Sequence, residues 1–127
     1  MAGAQGQTPA MEGWLSKRSE DFGKSWVLRW FVLHPAGVLT YSKAQHGPES
    51  KRIILDNMTE VRLLNDPSAT DEGRRAGIKK VCGFEIYQGQ GRRTWYLDPG
   101  TPAKCELWVN TLRSSLAQLK GAQAGYR

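Results

Sequence analysis

A chain of 127 residues with 39% hydrophobic and 24% charged residues, five of them Trp in the apolar set, has the size and aromatic content of one packed domain and is too short for two. That composition excludes a disordered tail, and no apolar run approaches the roughly 20 residues that a membrane-spanning helix needs. The formal charge of +6 points to an anionic partner, either phosphate-bearing lipid or nucleic acid, and says nothing of fold.

Residues 1–10 are Gly, Ala, Gln, Thr and Pro after the initial Met, and residues 121–127 are similar. They are expected to be a flexible N-terminal linker and a flexible tail around one domain over residues 11–120. The first ten residues lack the apolar core of a signal peptide, so a cytoplasmic protein is expected. Cys82 and Cys105 fall in a strand-like and a helix-like run, which suits two reduced thiols better than a disulfide framework.

Short apolar runs then follow in chain order: Gly13-Trp14-Leu15, Trp26 to Leu33, Val38 to Tyr41, Ile53 to Leu55, Val61 to Leu64, Cys82 to Tyr87 and Thr94 to Leu97. These predict strands. Pro35-Ala36-Gly37, His46-Gly47-Pro48 and Gly89-Gln90-Gly91 supply turn chemistry suited to antiparallel hairpins. The longest break, residues 65–80, reads as a polar loop. In the last segment Cys105, Trp108, Leu112, Leu116 and Leu119 recur at three- and four-residue steps, which predicts an amphipathic helix. Thr101 followed by Pro102 marks its start and Gly121 its stop.

Alternate residues of a strand share a face, so parity shows which charges accompany the apolar rows inward. The first run groups Leu15 with Lys17, and the second groups Val27, Arg29, Phe31 and Leu33. The third groups Leu39, Tyr41 and Lys43, and the fourth Lys51, Ile53 and Leu55. In an antiparallel meander Lys17, Arg29, Lys43 and Lys51 all fall at one edge. A buried cation without a partner costs several kcal/mol, so these residues are expected at an open mouth that an anion can fill. Each charge-assisted bond to a phosphate contributes roughly 1.5–3 kcal/mol, so a few together give useful affinity. The cluster Arg74, Arg75, Lys79 and Lys80 lies in the long loop, where basic residues near anionic lipid add non-specific attraction.

Catalysis has little support. His34 and His46 each stand beside a turn without an adjacent nucleophile, there is no phosphate-cradling Gly-rich motif, and two Cys with two scattered His make no metal spacing. No enzyme, metal or cofactor is expected. Nucleic-acid binding draws on aromatics interleaved with Arg in residues 26–30 and 92–96, but stacking needs an exposed aromatic face, and Phe31 and Leu33 claim one face for the core.

Glu12-Gly13-Trp14-Leu15 with Lys17, the run from Trp26 through Arg29 and Trp30 to Leu33, and Leu39-Thr40-Tyr41 resemble the pleckstrin homology family. Phe84, Ile86, Trp95-Tyr96-Leu97 and Trp108 look like its later landmarks, and the resemblance covers nearly all of residues 11–120. It implies a mainly β fold: a seven-stranded antiparallel barrel of two near-orthogonal sheets, capped at one end by the helix, with the ligand at the other. It further implies a non-catalytic, monomeric module that binds a phosphoinositide or other anionic lipid and is recruited peripherally to membrane. Lys17 and Arg29 match two of the family's three basic headgroup positions; Val27 stands at the third, with Lys24 in the first loop as a substitute. Tyr41 matches the aromatic position of the third strand, Lys51 and Arg52 lie near the basic position of the fourth, and Arg92 and Arg93 fall in a hairpin that offers accessory membrane contact. A protein-interaction module of the same fold, with weak or non-specific anionic-lipid binding, is the alternative that Val27 keeps open.

Overall fold

The computed structural model describes residues 8–20 and 25–124. Seven strands and two helices run in the order β1 (Met11–Arg18), β2 (Trp26–His34), β3 (Val38–Ser42), β4 (Glu49–Ile54), β5 (Glu60–Leu63), α1 (Asp71–Gly77), β6 (Phe84–Tyr87), β7 (Trp95–Asp98) and α2 (Pro102–Ala124). Each expected strand is present, with ends shifted by up to four residues, and the strands form one antiparallel sheet in the order β4-β3-β2-β1-β7-β6-β5. The β1–β2 ladder is long, from Met11↔Leu33 to Arg18↔Trp26, whereas β1 meets β7 only at Ser16↔Asp98 and Lys17↔Leu97. The two halves of the sheet therefore join at one short seam. Its edge strands, β4 and β5, are bridged by a side chain: buried Gln88 donates to the Ile54 carbonyl at 2.8 Å and to Thr59 Oγ1 at 3.1 Å.

Period-two burial follows from the alternation in the sequence. Leu15 and Lys17 in β1, Phe31 and Leu33 in β2, Leu39 and Tyr41 in β3, Phe84 and Ile86 in β6, and Trp95 and Leu97 in β7 all face inward and are buried. The helix closes one end with the expected face: Cys105, Trp108, Val109, Leu112 and Leu116 join the same core, and Leu119 packs against it. Thr101 starts α2 by accepting from Lys104 N at 3.2 Å. At this closed end the space over Gly13 belongs to Trp108, whose ring would lie 3.7 Å from a Cβ placed there. Among the described residues no helix is long and apolar enough to cross a membrane. Cys82 and Cys105 are both free thiols.

Two expectations are corrected. Gly121 does not stop α2, which runs on to Ala124; one glycine costs a helix only about 1 kcal/mol relative to Ala, and Ala122, Gln123 and Ala124 favour helix. Residues 65–80 are not simply loop, since they contain α1, capped by Thr70 Oγ1 accepting from Gly73 N at 3.0 Å. The fully buried Glu85 carboxylate in β6 holds that cap, accepting from Thr70 N at 3.0 Å and Thr70 Oγ1 at 2.8 Å with Arg62 3.5 Å away. A charge buried to that degree is tolerable because it is bonded on several sides.

Trp108 fills the junction between helix and sheet at 2% exposure. Trp108→Ala is expected to lower unfolding free energy by about 3–5 kcal/mol, measured by urea denaturation with the m-value unchanged.

Candidate functional site

At the end of the sheet opposite α2, the inner row of β1 finishes on Lys17, which is only 8% exposed. Its ammonium lies 5.2 Å from the centroid of the Tyr41 ring and 5.9 Å from that of Trp95. Cation–π attraction of about 0.5–2 kcal/mol per ring offsets part of the desolvation of the charge. The two rings meet edge to face at 5.9 Å, so each fixes the other. Arg93 sits over Trp95, its guanidinium carbon 3.6 Å from the ring centroid, with Nε 3.1 Å from the Glu20 carboxylate. Burial pushes the Tyr41 phenol above its ordinary pKa, while the charges of Arg93 and Arg29 pull it down, so both guanidiniums act on that hydroxyl. Three cations thus converge on one aromatic pair.

Cross-strand register decides which expected residues join them. Arg29 stands opposite Leu15 and Val27 opposite Lys17, so Val27 leaves an apolar position beside the buried ammonium. Arg29 is half-buried and donates to its neighbour's carbonyl, Leu28 O, at 2.8 Å. Lys51 pairs with Tyr41 and shares its face. Lys43 does not continue the inner row as parity predicts, because β3 ends at Ser42 and the β3–β4 register shifts between Tyr41 and Ser42. It is exposed in the following turn. Arg52 pairs with Thr40 and so belongs to the outer face, where it holds Glu49 in a two-point ion pair at 2.9 and 3.0 Å. Among the described residues Arg29, Lys43 and Lys51 have no ion-pair partner. Lys24 lies outside the described residues.

The two hairpin arginines part company. Arg92 is bound to Asp56 at 2.9 Å and to the Gln88 carbonyl at 3.1 Å, away from the cation cluster, whereas Arg93 is at its centre. Trp95 was not among the expected site residues. Parity could have found it, since Arg93, Trp95 and Leu97 alternate inward just as Lys17 does.

The PH domain family profile matches residues 9–117. The chain belongs to the PH domain family. Oxysterol-binding protein homolog 2 of Saccharomyces cerevisiae is 29% identical over 114 residues, covering 89% of this chain but 8% of that protein, so the chain spans a small part of the relative it matches. Among solved structures, the PH domain of human pleckstrin homology domain-containing protein family A member 5 superimposes with a TM-score of 0.67 at 24% identity, over 87% of this chain and 79% of that one. The C-terminal PH domain of pleckstrin in complex with D-myo-Ins(1,2,3,5,6)P5 gives a TM-score of 0.62 at 20% identity, over 87% of this chain and 97% of that one. These similarities establish the fold, seven antiparallel strands and a C-terminal helix.

In this PH domain the Arg92–Asp56 pair ties the β6–β7 hairpin to the turn after β4. The hydrogen bond from Arg92, helped by those from Met58 N and Thr59 Oγ1, holds the Asp56 carboxyl below the usual carboxylate range against the opposing effect of burial. A depressed folded-state pKa stabilises the fold above the unfolded-state value, and that contribution is lost as pH falls through the folded-state value. Asp56→Asn is therefore expected to lower stability at neutral pH and to make its decline on acidification shallower, read from urea unfolding across an acid series.

Proposed function

We propose that this PH domain is a non-catalytic module that binds a phosphoinositide headgroup at its basic mouth and so brings its parent protein to a membrane surface. The observation that carries this reading is the buried Lys17 ammonium held between Tyr41 and Trp95 with Arg29 and Arg93 acting on the same phenol. An ammonium fixed by rings keeps its donors directed without the rotamer loss a flexible lysine suffers, and guanidiniums add forked donors that match phosphate oxygens. Lys51 extends the cluster along the face of Tyr41, and we assign to the same site Lys43 from the turn after β3 and, on the sequence alone, Lys24. Arg52 and Arg92 are left out, since Arg52 lies on the outer face with Glu49 and Arg92 is turned away from the cluster toward Asp56 and the Gln88 carbonyl. Support also comes from the similarly folded pleckstrin PH domain in complex with an inositol pentakisphosphate.

Glu20 has a part in this reading. Its carboxylate sits at 3.1 Å from Arg93 Nε, where a phosphate oxygen would compete with it. Removing that carboxylate leaves the guanidinium to the ligand.

A protein-interaction role is favoured by one observation, the apolar Val27 directly across from Lys17. Titration decides between the two. Calorimetry with soluble inositol phosphates and sedimentation with phosphoinositide vesicles are expected to show binding, weakened roughly tenfold or more by Arg29→Ala or Arg93→Ala. Lys17→Met, which keeps the buried stem, is expected to do the same without lowering the unfolding midpoint, and Glu20→Gln to tighten binding. Equal sedimentation with phosphoinositide and plain neutral vesicles, together with no soluble titration, would leave the protein-interaction reading.

A further inference from the structure

Outside the mouth, an unexplained surface feature lies on the other side of the same hairpin. Arg18 and Trp26 pair across β1 and β2 with their side chains on the outer face, one position beyond inward Lys17 and Val27. Together with Arg75, Ile78, Lys79 and Lys80 they line a groove of about 430 Å³. Ile78, which caps the end of α1, is 77% exposed, and Val81 in the turn that follows is 64% exposed, the two most exposed large apolar residues among those described. Single exposed apolar residues are common and need no explanation. Two of them three positions apart, interleaved with cations, are a different arrangement.

The cations divide by partner. Arg74 is held by Asp71 and by the Pro67 carbonyl at 2.8 Å, and Lys80 sits 3.4 Å from Asp98 and 5.1 Å from the centroid of the Trp26 ring. Arg75 and Lys79 have no ion-pair partner among the described residues. The segment is also held in place from below, because Glu85 grips the Thr70 cap, and Gly73 packs so closely that a Cβ there would fall 2.2 Å from the carboxylate. A contact made by this ridge therefore needs little ordering on binding.

We infer that this ridge, Ile78 flanked by Arg75 and Lys79 and followed three positions on by exposed Val81, is a second membrane contact whose ligand is the interfacial layer of an anionic bilayer, with no single headgroup required. Apolar side chains that project outward beside unpaired cations complement a surface with acyl chains beneath negative headgroups. The inner face of the β1–β2 hairpin carries Lys17 and Arg29 while its outer face adjoins the ridge, so one bilayer surface reached by that hairpin meets both. The inference rests on the membrane reading above for its setting, but its ligand is distinct from the phosphoinositide.

The test uses phosphatidylcholine vesicles with and without phosphatidylserine, and no phosphoinositide. The wild-type chain is expected to bind the phosphatidylserine vesicles more tightly. Arg75→Ala and Lys79→Ala should each weaken that binding about fivefold, and Ile78→Ser by about five- to tenfold. All three should leave unchanged both the unfolding midpoint and the affinity for soluble inositol hexakisphosphate, which reads the mouth alone. Ridge variants that bind phosphatidylserine vesicles as the wild type does, or a wild type that does not distinguish the two vesicles, would overturn the inference. A soluble inositol phosphate that fails to titrate the wild type would count against the mouth reading alone.

Discussion

One row of side chains organises the molecule. The inward residues of β1 run from Gly13 beneath Trp108, through fully buried Leu15, to Lys17 between Tyr41 and Trp95, and the end of that strand carries the backbone pairing that joins the two halves of the sheet. Alternation obliges whatever follows Leu15 by two positions to face the same interior. A lysine can occupy that place only where the barrel opens and aromatic faces receive its charge. The closed end, the core and the mouth are in that sense three consecutive inward positions of a single strand, and the binding chemistry follows from where the apolar filling stops.

Much of this was legible in the sequence because it depends on short-range pattern. Period-two alternation with turn residues between runs marked every strand, and the spacing of Cys105, Trp108, Leu112 and Leu116 marked the buried face of α2. What parity could not deliver was register across strands. Lys43 reads as the next inward residue after Tyr41, but the irregularity between Tyr41 and Ser42 ends the row there. Lys51 and Arg52 look equivalent in sequence, and a pairing with Tyr41 or with Thr40 sends them to opposite faces.

The other gaps have long-range causes. α1 carries no apolar stripe, so periodicity does not reveal it; its warrant is Glu85, fifteen positions beyond Thr70, whose burial depends on the cap it holds. The cap signature itself, Thr70 followed by Asp71 and Glu72 and closed by Arg74 and Arg75, was present in the sequence and is the local clue. Likewise Arg92 and Arg93 are adjacent, yet one answers to Asp56 from the far edge of the sheet and the other to Trp95 and Glu20. Which of two neighbouring cations is available to a ligand is a property of carboxylates many residues away.

The bridge formed by Gln88 bears on how this domain yields under stress. Where β4 and β5 approach, the wall is fastened by the Gln88 amide reaching the Ile54 carbonyl and the Thr59 hydroxyl, with no ladder between the two strands among the described residues. The shell is a strip with a clasp and not a seamless hoop. Solvent exchange and local opening begin at such a fastening, whose release breaks two hydrogen bonds while the ladders from β4 through β1 to β5 remain intact.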